Sequence, residues 1–116
     1  MALLNNLTDR PWGSYEVLFS DSTCKIKKII VHPGQRLSYQ YHNKRSETWV
    51  ITEGIASVTL NGTEKDYMVG DNVIIPLKTK HRVENKLNSR LVFIEVQTGE
   101  YFGEDDIVRI QDDYGR

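Results

Sequence analysis

Cysteine is almost missing from this chain. Cys24 is the only one among 116 residues, so no intrachain disulfide can form, and a thiol between Thr23 and Lys25 reads as a small strand side chain rather than a nucleophile. Proline is scarce as well, three against eight glycines, which leaves punctuation but no disordered or low-complexity stretch. No apolar run approaches the roughly 20 residues of a membrane-spanning helix. The opening MALLNNLTDR has neither a basic lead nor an apolar core long enough for a signal peptide, so the expectation is a cytoplasmic protein with no membrane partner. Neither sign of charge is in excess: 15 Lys and Arg against 16 Asp and Glu give a net charge of −1, and nothing global invites nucleic acid. Helical periodicity is missing before residue 100, and so is any Gly-rich nucleotide loop.

What is present reads as short strands separated by turns. Residues 1–9 form a lead-in in which Leu3, Leu4 and Leu7 can make an amphipathic turn or cover a sheet edge. Arg10-Pro11-Trp12-Gly13-Ser14-Tyr15 follows, kept from helix by Pro11 and Gly13. Residues 16–20 and 25–31 are β-rich runs divided by Asp21-Ser22. Ala56, Val58 and Leu60 alternate with Ser57 and Thr59, the period of a half-buried strand, and Asn61-Gly62 supplies a two-residue hairpin turn. Residues 73–76, 81–84 and 91–97 complete about nine strands, with 91–94 apolar on both faces and therefore deep. One all-β domain over residues 1–116 is predicted, a double-sheet roll or small barrel. The basic run 25–28 and the acidic run 104–106 can offset each other.

The stretch from Gly34 to Gly54 carries the chemistry. Gln40 and His42 stand two apart, so in a strand they share a face, and a bend before Glu47 would bring its carboxylate to the same point. An amide oxygen, an imidazole and a carboxylate make a divalent-metal shell that wants one more imidazole. His81, in the stretch from Gly70 to Asn85, supplies it. His32 has no comparable neighbours. The set Gln40, His42, Glu47 and His81 would leave a divalent ion with a net charge near +1, suited to an anionic or enediolate ligand. Zinc fits nitrogen and oxygen donors with an open position; cobalt, manganese or iron are alternatives, since two His and a carboxylate also make the non-haem iron triad.

These two stretches resemble the two cupin motifs. Gly34, His42, Glu47 and Gly54 fit the first, with Gln40 standing where its first His usually is. Gly70, Pro76, His81 and Asn85 fit the second, which departs at Lys78, where glycine is usual. The resemblance implies a double-stranded β-helix, the jelly-roll barrel.

Residues 10–15, residues 37–42 and the tail EVQTGEYFGEDDIVRIQDDYGR, from Glu95 to Arg116, resemble more narrowly the C-terminal isomerase domain of type II phosphomannose isomerases, which are bifunctional with mannose-1-phosphate guanylyltransferase. That resemblance implies a divalent-metal aldose–ketose isomerase interconverting mannose 6-phosphate and fructose 6-phosphate, serving GDP-mannose or polysaccharide synthesis. It carries Gln40, His42, Glu47 and His81 onto the metal. It carries Arg109 and Arg116 onto the tail arginines implicated in the reaction, where guanidinium forks suit a phosphate dianion. Lys44 and Arg45 flank the ligand run as further phosphate candidates or as a solvated loop, and residues 100–116 are expected to pack near the site. Trp12 and Tyr15 read as packing residues.

Glu47 is the candidate base, provided that it is not fully engaged as a ligand, for family members carry His where this chain has Asn43, Lys44 and Thr48. The length leaves no room for a guanylyltransferase domain, so a stand-alone isomerase domain is expected, as a homodimer by sheet pairing. Two rival readings stand beside this one. A non-catalytic sugar-phosphate-binding cupin is favoured by the replaced imidazoles, and an iron dioxygenase on the same ligands is opposed by Arg109 and Arg116.

Overall fold

The computed structural model describes residues 7–116; of the lead-in, Leu3 and Leu4 lie outside that range. Among the described residues there are eleven strands and no helix. They are β1 Leu7–Arg10, β2 Gly13–Ser20, β3 Cys24–Val31, β4 Tyr39–Tyr41, β5 Arg45–Glu53, β6 Ala56–Leu60, β7 Thr63–Tyr67, β8 Asn72–Ile75, β9 His81–Glu84, β10 Leu91–Gly99 and β11 Val108–Gln111. Sheet A has six strands in the order β1-β2-β3-β10-β5-β8, and sheet B five in the order β11-β4-β9-β6-β7. Every pairing is antiparallel.

Three of the eleven escape a reading by hydrophobic alternation. β1 falls partly in the expected lead-in and β4 is three residues long, so neither offers enough period-two signal. The tail strand β11 is exposed along its length, and its charged flanks mask it in the same way. The Asn61-Gly62 turn behaves as expected: both residues have positive φ, 46° and 86°, and Leu60 pairs with Thr63 across it.

Strand parity divides the interior of sheet A into two ends. Across β2, β3, β10 and β5, one inward row runs Tyr15, Ile29, Phe93, Ile51 and the next runs Val17, Lys27, Glu95, Trp49. Beyond it, Gln97 faces Glu47. The apolar end, with Val31, Ile51, Leu91 and Phe93 all nearly solvent-free, supplies the burial that stabilises the sandwich. The polar end keeps Lys27, Glu95, Gln97 and Glu47 equally buried. Trp49 stands at the boundary, its ring 4.6 Å from Phe93 and 5.9 Å from His81 between centroids. Buried polar side chains are costly unless paired, so this end of the barrel is a site rather than a core.

The strand over residues 91–94 is deep as expected, lying between β3 and β5. It does not stay apolar, because residues 95 and 97 continue the inward row. Gly99 ends it with φ of 145°, where a Cβ would collide with the main-chain oxygen of Lys44; glycine lets β10 close against the start of β5.

Candidate metal centre

His42 leaves the end of β4 in sheet B, and Glu47 is the third residue of β5 in sheet A. The bend at 42–44 therefore carries the chain from one sheet to the other, and the two side chains meet across the barrel. His42 Nε2 lies 3.1 Å from Glu47 Oε2, and His81 Nε2 lies 4.0 Å from Glu47 Oε1. One ligand atom from each of His42, Glu47 and His81 falls within 4.8 Å of the others, and all three side chains are buried.

Both imidazoles are oriented by main-chain oxygens. His42 Nδ1 is 2.8 Å from the carbonyl of Asp106, and His81 Nδ1 is 2.9 Å from that of Thr79. A carbonyl only accepts, so each Nδ1 donates, and on His81 the Nε2 is left with its lone pair turned inward. His81 Nε2 is buried with no hydrogen-bond partner. Burial, the largest influence, pulls the His81 pKa down against the opposing charge of Glu47, which keeps the ring neutral as a metal requires. An orphaned, deprotonated nitrogen beside a second imidazole and a carboxylate fits a divalent ion.

Glu47 is held on both oxygens. Trp49 Nε1 donates to Oε1 at 3.0 Å and Arg45 Nε donates to Oε2 at 3.0 Å, which leaves each oxygen a further lone pair. Burial alone would raise its pKa, but a hydrogen bond from Glu95 and the charge of Arg45 hold it well below the ordinary range. Glu95 answers in the opposite direction. Burial first, then the Glu47 charge and the hydrogen bond to it, push Glu95 well above the usual carboxylate range. Two adjacent carboxyls thus share one proton, with the charge on Glu47. Gln97 Nε2 donates to Glu95 at 3.3 Å.

Gln40 lies beside the triad. It is the strand partner of His81 on one side and of Arg109 on the other, and Ser38 Oγ donates to its amide oxygen at 2.9 Å. Directly opposed residues share a sheet face, so Arg109, Gln40 and His81 form one row facing the cavity. Arg109 and Arg116 both line that cavity, together with Glu47, Glu95 and Glu104. Arg116 is held by Asp112, which accepts from its Nε and Nη2 at 3.1 Å each. Arg45, read from sequence as a flank of the ligand run, is buried in the cavity wall and ion-paired to Glu47 and Glu104. Lys44 points elsewhere: it is exposed, with its Nζ 5.2 Å from the centre of the Tyr101 ring, and it does not line the cavity.

The acidic and basic runs do meet. Lys27 Nζ is 3.1 Å from Glu104 Oε1, fixing the tail over the polar end of sheet A. Trp12 is buried in the core and Tyr15 packs against it, as expected; both also line the cavity, with Lys27 Nζ 4.1 Å from the centre of the Tyr15 ring. Lys27, Glu95 and Gln97 went unread in the sequence. Their signal was parity: they continue the inward positions of Ile29 and Phe93 two residues at a time. Lys78 has φ of 63°, the left-handed conformation that glycine adopts freely, so the turn survives the substitution and its N–H still reaches the carbonyl of His42 at 2.8 Å.

A family model described as mannose-6-phosphate isomerase C-terminal matches residues 4–112. The mannose-1-phosphate guanylyltransferase of Salmonella montevideo is 43% identical over 107 residues, covering 92% of this chain and 23% of that protein. The alginate biosynthesis protein AlgA of Pseudomonas aeruginosa is 43% identical over 109 residues, covering 92% of this chain and 22% of that one. The chain thus spans less than a quarter of the length of these relatives. Among solved structures, an RmlC-like cupin from Shewanella frigidimarina superposes with a TM-score of 0.74 at 20% identity, over 87% of each chain, which shows the cupin fold.

Proposed function

The chain belongs to the mannose-6-phosphate isomerase C-terminal family, and from that premise we propose that it is a metal-dependent aldose–ketose isomerase domain acting on mannose 6-phosphate and fructose 6-phosphate. The observation that carries the proposal is the buried His42–Glu47–His81 cluster with its unpartnered His81 Nε2, opening on a cavity walled by arginines. His42, Glu47 and His81 would hold the ion, with Gln40 adjacent. Zinc is the proposed metal, because neutral nitrogen donors and one carboxylate suit it. When bound, a divalent ion supplies Lewis acidity toward vicinal sugar oxygens.

The protein's own residues supply the rest. Arg109 stands two strand positions from His81 in sheet B, about 10 Å of main-chain spacing, a separation suited to a substrate whose phosphate and reacting carbons lie at opposite ends. We assign it to the phosphate, with Arg116 at the rim. Arg45 and Trp49 hold Glu47 in place as a ligand, and the ion pair of Lys27 with Glu104 keeps the tail across the opening. The guanylyltransferase activity in the relatives' names is not carried over, since the chain matches less than a quarter of their length.

The test is a coupled assay for fructose 6-phosphate formed from mannose 6-phosphate, run before chelation, after it, and after zinc, cobalt or manganese is restored. Turnover that disappears and returns with metal is expected. Sugar-phosphate binding without turnover in the metal-loaded protein would replace this proposal with a non-catalytic binding cupin. That second reading is favoured by the hold on both Glu47 oxygens and by Asn43, Lys44 and Thr48 in place of imidazoles.

A further inference from the structure

Six cations line the cavity: Arg10, Lys27, Arg45, Arg82, Arg109 and Arg116. Four of them have a carboxylate within ion-pair distance. Lys27 and Arg45 meet Glu104, Arg82 lies 3.9 Å from Asp113, and Arg116 is fixed on Asp112. Arg10 and Arg109 differ, for among the described residues neither has a carboxylate within ion-pair distance. Residues 1–6, MALLNN, contain no acidic side chain either. The Arg109 side chain donates no hydrogen bond among the described residues. Arg10 gives one bond to the main chain of Asp9 at 3.0 Å and a long one, 3.4 Å, to the Tyr15 hydroxyl.

Strand register turns both arginines inward. Arg109 shares the row of Gln40 and His81. Arg10 opposes Gly13, whose next partner is the buried Val31, so Arg10 lies on the inward row of sheet A next to a residue with no side chain. β1 and β11 are the edge strands of the two sheets, and both reach the same cavity. Partial burial first, then the charge of Arg116 and, more weakly, that of Arg10, draw the Arg109 pKa down, while the charges of Asp112 and Glu104 oppose them. Like charges with no carboxylate paired to them in a shared cavity wall are a cost that a bound anion lowers.

We propose that Arg10 and Arg109, one from the edge of each sheet, are the paired forks of a phosphate-monoester site at the cavity mouth, with Arg116 retained by Asp112 outside it. This rests on the sugar-phosphate reading and sharpens it. It brings in an arginine from the opposite sheet and gives Arg116 the lesser part of the two tail arginines. Each fork offers charge-assisted, bidentate hydrogen bonds to phosphate oxygens.

The experiment is calorimetric titration of the full chain with inorganic phosphate, mannose 6-phosphate and mannose at fixed ionic strength, for wild type and for Arg10→Gln, Arg109→Gln and Arg116→Gln. Phosphate affinity should fall about tenfold or more in the first two and less than about threefold in the third. Arg10→Lys preserves the charge without the fork and should recover only part of the loss, which keeps the test usable if Arg10→Gln folds poorly. Wild-type affinity in both Arg10 variants, with a loss in Arg109→Gln and Arg116→Gln, would overturn the pairing and leave the sugar-phosphate reading intact. Equal wild-type affinity for mannose and mannose 6-phosphate, with none for phosphate, would remove both.

Discussion

The carbonyl of Asp106 accepts the Nδ1 proton of His42 at 2.8 Å across 64 positions of sequence. The carboxylate of the same residue accepts the N–H groups of Asn43 at 3.1 Å and Lys44 at 2.9 Å. A buried tail residue thus fixes both the ring of a proposed metal ligand and the loop that follows it. Such outer contacts commonly govern metal affinity as strongly as some direct ligands do.

Asp106→Ala should therefore lower zinc affinity by about 10- to 100-fold, read by competition with a chromophoric chelator. The backbone acceptor survives the substitution while the two loop bonds are lost, so circular dichroism should remain that of a folded β protein. Unaltered affinity would rule out the Asp106 carboxylate as an orienting group.

His81→Ala removes the nitrogen that has no partner in the protein. Metal content after equilibration with zinc, measured by inductively coupled plasma mass spectrometry, should fall sharply. If content stays at the wild-type level, His81 is not a ligand.

Lys78 occupies the left-handed region, which costs a non-glycine residue roughly 1–2 kcal/mol. Lys78→Val should destabilise by about 1–2 kcal/mol, since a β-branched side chain tolerates that region poorly, while Lys78→Gly should be neutral or slightly stabilising in urea melts. Equal midpoints for the valine and glycine variants would contradict the left-handed turn.

Hydrogen bonding from Arg116 pulls the pKa of Asp112 down to about 2 from an ordinary 3.8. The folded pKa is the lower one, so this contact adds stability above about pH 4 and loses it as pH falls toward 2. In a carboxyl-resolved NMR titration, Arg116→Gln should return Asp112 toward the ordinary range. A midpoint that stays near 2 would assign the depression to the backbone contacts instead.

Much of this protein was legible in its residues. Alternation at 56–60, the Asn61-Gly62 pair and the absence of helical period point to antiparallel sheets, because side-chain parity and positive φ are local properties. Parity placed Gln40 with His42, a bend was expected to bring Glu47 to them, and the place of His81 followed from the resemblance to the second cupin motif. Tertiary structure alone decided that His42 and Glu47 meet from different sheets, that Glu47 is gripped by Arg45 and Trp49, and that Glu95 sits beside it holding the shared proton. It alone decided that Asp112 occupies Arg116 while Arg10 and Arg109 face one cavity with no carboxylate paired to either. Those relationships depend on cross-strand register and on which charges burial leaves unpaired, and both arise only when distant strands are brought side by side.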